Sequence, residues 1–376
     1  MSNNGKNVFL AGSGSYLPGK KIPFSEIDKI LGELDQAPDK IRKWMNETKK
    51  IMEELLEVKY FHYAIDPVTR EFSDDNITMS VKASLSALEY AGMKAEDIDL
   101  ICYGSPHQDQ MPTASTKIQE MLGIESCQEI SIHANCTSAY KALHIATELI
   151  RGGRACNALV ISSNIASSEL RAEYYNQQIV DRDSIFLRWF LCDGAGALVL
   201  TSNQSFSKGF KVDYTYIESI GGKRPSMMFN LRPAYWMNPK IEFEKGYHHL
   251  RQKFRNALST PIFQEKDGSV FFCGLKRMLE KGSIAVDKIK FMQINLPAKH
   301  IAQSVKEEIE KLGIPPETFY TKLDELGYPG PPMAFICLDK IIREEKLQKG
   351  DLIVSFVTEV SKFMQAGYSI CYDPHD

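Results

Sequence analysis

The sequence has no apolar run long enough to span a bilayer, and its opening residues, MSNNGKNVFLAGSGSYLPG, lack the basic segment and long apolar core of a secretory leader. A cytoplasmic protein with no membrane partner is the expectation. Charge bias is also missing: the formal net charge is -3 and neither sign gathers into long runs, which leaves no electrostatic footprint for a nucleic acid. The 8 cysteines include no C-x-x-C pair and no metal-ligand spacing, so no metal site is expected. Most of them read as reduced, small, buried hydrophobes. With 43% hydrophobic and 25% charged residues, the composition is that of an ordinary soluble globular protein, and disorder is not the default. A chain of 376 residues exceeds what one core holds, which predicts two domains or two fused halves.

Strand and helix signals alternate, as in α/β layers. VFLAGSGSYLP reads as a buried strand, and residues 28–58 as an amphipathic surface helix or pair of helices. NITMSVKASLSALEYAGM and TASTKIQEMLGI read as helices ended by Gly92 and Gly123, with the strand IDLICYGSP between them. EISIHANC is a strand running into Cys136, TSAYKALHIATELIRGG a long helix beginning just after it, and NALVISSN the next strand. Residues 206–268 are irregular and aromatic. Beyond them the alternation resumes with VFFCGLKRMLEKG, KFMQIN, KHIAQSVKEEIEKLG, MAFICLDKIIREEK and DLIVSFVTE, compatible with a duplicated fold.

Cys136 is set apart by its place at a strand-to-helix junction. There its sulfur faces the positive end of a helix dipole, which favours thiolate, and free N–H groups are at hand for an oxyanion. HANCTSAYKALHIATELIRGG, followed by ALVISSN and LCDGAGALVL, resembles the ketoacyl synthase III branch of the thiolase superfamily. SPHQDQMPTASTKIQEMLGI and GDLIVSFV resemble that family's loop and helix before the nucleophile strand and its last core strand. The resemblance implies a five-layered αβαβα thiolase-like fold of two similar halves, residues 1–205 with the nucleophile and residues 206–376. It also implies a homodimer, alone or with an accessory subunit, in which Cys136 is acylated from an acyl-CoA or acyl-carrier-protein thioester used as substrate. No separate cofactor is implied.

The family's catalytic His and Asn are not intact. FMQINLPAKHIAQSV places Asn295 at the His position, where it could still donate to an oxyanion, and LDELGYPGPPMAFICLDK places Tyr328 at the Asn position. His300 falls a helical turn or more downstream and ranks below Asn295 as a substrate contact. The family's glycine-rich turn is replaced by TEVSKFMQAG, in which Glu359 is a candidate general base. His107 and Asp109 lie on the loop that reaches across the dimer in some relatives, and Trp44 aligns with an aromatic that stacks on the CoA adenine. His133, on the strand face opposite the nucleophile, is expected to be satisfied within the core. Residues 206–268, with Phe229, Tyr235 and Trp236, are expected to wall the substrate pocket.

The altered pair puts standard decarboxylative condensation in doubt. Two readings follow: an acyltransferase or condensing enzyme that forms an acyl-thioester on Cys136 and passes the acyl group on, or a non-catalytic subunit of a hetero-oligomeric complex. A ligand-binding scaffold unrelated to acyl transfer stands behind both.

Overall fold

The computed structural model describes residues 5–107, 110–231, 238–253, 261–296 and 299–374, with the side chains of 299 and 300 outside that description. Numbering the strands of the main sheet in chain order gives β1 (Phe9–Tyr16), β2 (Leu100–Ser105), β3 (Gln128–His133), β4 (Asn157–Ile165) and β5 (Asp193–Thr201). The second set is β6 (Phe210–Ser219), β7 (Ile289–Ile294), β8 (Phe319–Tyr320), β9 (Leu352–Glu359) and β10 (Met364–Tyr372). The longer helices are α1 (Asp39–Leu56), α2 (Asn76–Ala91), α3 (Ala114–Leu122), α4 (Ser138–Arg151), α5 (Val270–Gly282), α6 (Lys299–Glu310) and α7 (Met333–Glu344).

The spatial order of the strands is β8-β7-β9-β10-β6-β1-β5-β4-β2-β3. From the centre outwards, each half follows one scheme. In the first half, β1 pairs antiparallel with β5 and β5 with β4, while β4–β2 and β2–β3 are parallel. In the second, β6–β10 and β10–β9 are antiparallel, while β9–β7 and β7–β8 are parallel. The halves meet through the antiparallel partners Phe9↔Lys211 and Leu10↔Phe210. Two copies of one five-strand topology are therefore joined edge to edge, although no repeat is legible residue by residue.

The helices correspond as well, and their packing makes five layers. Helix α2 covers the outer face of the first half, and α5 that of the second. Between the sheets lie α4, packed on β2, β4 and β6, and α7, packed on β1, β5 and β7. This central position explains their composition: α7 buries Met333 through Asp339 without a break, and α4 buries small residues such as Ser138, Ala139, Ala142 and Ala146, which let the two sheets approach.

The helical stretch read over 28–58 as one helix or a pair is two pieces, Ile27–Leu31 and α1: Gly32, at φ +82, leaves the helical conformation after the first, and Pro38 suits the position before the second. α1 buries Met52 and Leu56 while Ile51 and Leu55 stay exposed, as an amphipathic surface helix does. No helix among the described residues is long and apolar enough to cross a membrane.

Candidate active site

Parallel strands of one half all end at the same edge of their sheet, so the loops after them share a rim. In this protein the rims of both halves converge. Cys136 sits between β3 and α4; its topological counterpart, the turn between β8 and α7, carries Tyr328. Asn295 follows β7, and His107 follows β2. Glu359 ends β9. These loops surround a cavity of about 920 Å³ lined by Cys136, Tyr328, Asn295, Asn164, His107 and His133 together with many apolar side chains. That lies near the upper end of the roughly 300–1,000 Å³ typical of small-molecule sites.

The nucleophile and its counterpart touch. Cys136 Sγ lies 3.7 Å from the Tyr328 hydroxyl. Burial, followed by interaction with Cys136, holds that hydroxyl protonated well above the usual tyrosine range, so it faces the sulfur as a neutral group that shares one hydrogen bond with it. Gly327, at φ +72 with Cys192 Sγ only 2.9 Å from where a Cβ would stand, lets the chain turn so that the Tyr328 ring enters the cavity.

Glu359 is 1% exposed, which excludes a solvent-facing strand end. Its Oε2 accepts from Thr137 N at 2.9 Å and Thr137 Oγ1 at 2.6 Å, and its Oε1 accepts from Ser361 Oγ. Thr137 is the residue before α4, so Glu359 answers the positive helix terminus that the sequence assigned to the sulfur. The expectation of a favoured thiolate is corrected accordingly. Burial first and the Glu359 charge second push the Cys136 thiol up to about 12, against the pull of the Tyr328 hydroxyl. Cys136 alkylation by iodoacetamide, followed on its own peptide, is therefore expected to be slow at pH 8, where about one thiol in 10⁴ is ionised, and to climb about tenfold per pH unit without a plateau below pH 10. Glu359→Gln, which removes the neighbouring negative charge, should speed alkylation at every pH in that range. Equal rates in the two proteins would refute the electrostatic coupling.

Asn295 is buried, its Nδ2 donating to Gly330 O at 3.4 Å while its Oδ1 has no partner among the described residues. His133 does not sit in the core: it is exposed on β3, an edge strand, and lines the cavity, because the edge leaves that residue's face uncovered. Trp44 is not a cavity residue. It packs on Trp189, ring centroids 5.4 Å apart, with the Arg182 guanidinium 5.2 Å from its own centroid.

Phe229 lines the cavity, as expected of residues 206–268, along with Met228, Leu250 and Phe263. Asp109, Tyr235, Trp236 and the side chain of His300 lie outside the described residues. Where the resemblance expects a glycine-rich turn, Phe363 takes φ +53 and is held by packing on Phe263 at 5.3 Å.

Sequence reading missed Asn164 and Thr137. Asn164 follows Ser162 and Ser163 near the end of β4, and three consecutive polar residues in a buried strand were the available signal. Asp193, in the D-G-A-G-A stretch, is a clamp: its carboxylate accepts from Ala64 N, Ser167 N and Ser167 Oγ at 2.8, 2.8 and 2.5 Å. Burial pushes its pKa up to about 6 against those three donors. No group of three His, Cys, Asp or Glu among the described residues is placed to hold a metal ion.

A family model for 3-oxoacyl-(acyl-carrier-protein (ACP)) synthase III matches residues 130–215, the span from β3 into β6 that contains Cys136. The beta-ketoacyl-(acyl-carrier-protein) synthase III of Clostridium perfringens strain SM101 is 31% identical over 354 residues, 93% of this chain and 94% of its own length. The chain belongs to the ketoacyl synthase III family. That of Rhizorhabdus wittichii is 25% identical, covering 93% of this chain and 94% of its own. Solved structures agree in fold. The tetronic acid condensing enzyme AbyA1 superposes with a TM-score of 0.75 at 18% identity, covering 96% of this chain and 99% of its own. Aquifex aeolicus 3-oxoacyl-(acyl-carrier-protein) synthase III gives 0.72 at 20%, covering 97% and 100%, and a variant of Xanthomonas campestris OleA gives 0.74 at 16%, covering 97% and 98%. In this ketoacyl synthase III family member the cavity floor is built from Cys136 and Tyr328, one residue from each half.

Proposed function

We propose that this ketoacyl synthase III family member is an acyltransferase that takes an acyl group from a CoA or carrier-protein thioester onto Cys136 and passes it to a second substrate. The observation that carries this reading is the thiol at the floor of a 920 Å³ cavity with the Tyr328 hydroxyl 3.7 Å from its sulfur. A covalent thioester divides the transfer into two easier steps. The neutral Tyr328 hydroxyl is placed to hand the sulfur a proton as acyl transfer frees it. Glu359 acts as a positioning residue: both oxygens are engaged, and through Thr137 it fixes the start of α4 behind the nucleophile. Formation of a homodimer, as the resemblance implies, belongs to the same reading.

The cavity wall contributed by Phe186, Phe190, Met228, Phe229, Phe263 and Phe271 favours an apolar acyl chain over acetyl. Each buried methylene contributes ~0.8 kcal/mol, so loading efficiency is expected to rise about fourfold per methylene until the cavity is filled. Intact mass after incubation with straight-chain acyl-CoAs, with the adduct mapped by peptide, tests both points. A wild-type protein that takes no acyl group from CoA or carrier-protein donors would leave the non-catalytic subunit as the better reading, and preferential loading by acetyl would contradict the wall's role.

A further inference from the structure

Most polar side chains assigned to the cavity floor are already committed. The Tyr328 hydroxyl shares a hydrogen bond with the Cys136 sulfur, and both oxygens of Glu359 are engaged by Thr137 and Ser361. Asn164 Nδ2 donates to Pro329 O at 2.9 Å and Asn295 Nδ2 to Gly330 O at 3.4 Å, and the oxygens of both amides are sealed off from any ligand in the cavity.

Asn135 is the exception. It lines the cavity immediately before the nucleophile, is half-buried, and has its backbone fixed by Ser138 N, which donates to Asn135 O at 2.9 Å. Its side-chain amide makes no hydrogen bond to another described residue, yet neither amide atom is sealed. Consecutive Cα atoms stand about 3.8 Å apart, so the amide and Sγ lie within roughly 10 Å of each other in any pair of rotamers. The amide therefore accompanies the first few carbons of an acyl chain carried on the sulfur, while Phe186, Phe190, Met228 and Phe229 offer apolar wall for the remainder. An acyl chain that fills the cavity displaces the water that solvates this amide, and an amide left without a partner then costs binding.

Resting on the acyl-Cys136 reading, we infer that the acyl group carries a hydroxyl close to its thioester, on the second or third carbon, which the Asn135 side chain recognises. The amide presents N–H donors and one acceptor, and a hydroxyl answers both kinds at once. A keto oxygen accepts only. A carboxylate also accepts only, and its charge would face the amide oxygen. A saturated chain answers neither. The loading step is an ordinary thioester exchange: the Sγ–C bond forms, the C–S bond to the donor breaks, and the proton leaving Cys136 ends on the donor's sulfur.

The experiment compares octanoyl with 2-hydroxyoctanoyl, 3-hydroxyoctanoyl and 7-hydroxyoctanoyl groups, each enantiomer separately, as CoA and as carrier-protein thioesters. Loading of Cys136 is followed by intact mass and peptide mapping. One 2- or 3-hydroxyacyl enantiomer is expected to load with a kcat/KM about tenfold or more above octanoyl, and the 7-hydroxyacyl groups with no such advantage. In Asn135→Ala and Asn135→Leu, checked for folding by melting, the ratio of hydroxyacyl to octanoyl loading should fall to about one. Because the readout is a ratio within one protein, a smaller folded fraction cancels from it. No preference in the wild type, the same preference for a 7-hydroxyl, or a preference kept in both variants overturns the inference and leaves the acyl-Cys136 reading standing. A wild-type protein that takes none of these acyl groups removes that reading and the inference together.

Discussion

Cys136→Ala is expected to remain folded, to take no acyl group at position 136, and to lose turnover by on the order of 10⁴-fold or more, the scale seen when a covalent nucleophile is removed. The substitution deletes one sulfur that is only half-buried at the cavity floor, so it leaves little void and the melting temperature is expected to stay close to wild type. Tyr328→Phe separates the two partners. It keeps the ring and removes the hydroxyl 3.7 Å from the sulfur. Loading onto Cys136 should survive, while discharge of the acyl group slows by about 10²-fold, the contribution of one positioned proton donor. The measurement is single-turnover: adduct formation and decay by rapid-quench mass analysis. Decay as fast as in wild type would remove Tyr328 from the chemistry, and an undiminished Cys136→Ala would remove the covalent intermediate.

Gly104→Ala is expected to be the most damaging single methyl near the site. Gly104 is buried in β2, and a Cβ there would stand 2.3 Å from the oxygen and 2.7 Å from the carbonyl carbon of Ser138, the first residue of α4. Both neighbours are backbone, so no flexible side chain can swing aside. The helix start must move, and with it Cys136 and the Thr137 groups held by Glu359. Overpacking of this kind costs about 3 kcal/mol, and a shift of about 1 Å in the nucleophile costs about 10²-fold in rate. Gly222→Ala is the matched control, since nothing lies within 4 Å of its Cβ position. Denaturant midpoints and acyl loading should both fall for Gly104→Ala and stay put for Gly222→Ala. A Gly104→Ala protein with wild-type stability would show that the β2–α4 approach is looser than the geometry indicates.

Such a clash has no mark in the sequence, where Gly104 is one small residue in IDLICYGSP. The same holds for the contacts that define the site. Tyr328 and Cys136 are 192 positions apart, and Glu359 and Thr137 are 222 apart. Neither pair follows from local periodicity.

The sequence by itself determined most of the regular elements, because burial of a helix face or a strand is written in the spacing of apolar residues within a few turns; it did not give β6, which lies inside the segment read as irregular, nor β8 and β10. It also singled out Cys136, because strand, cysteine and helix are contiguous, and through the ordered motifs it pointed to the thiolase-like fold. Only the tertiary structure decided what surrounds that cysteine. Duplicated topology brings the rims of two half-sheets together, and this convergence sets Tyr328 on the sulfur, turns Glu359 away from the cavity onto Thr137, uncovers His133 at the edge of the sheet and leaves the oxygens of Asn164 and Asn295 without donors. Those outcomes depend on which atoms lie within about 4 Å across the fold, a relation that one-dimensional spacing does not encode.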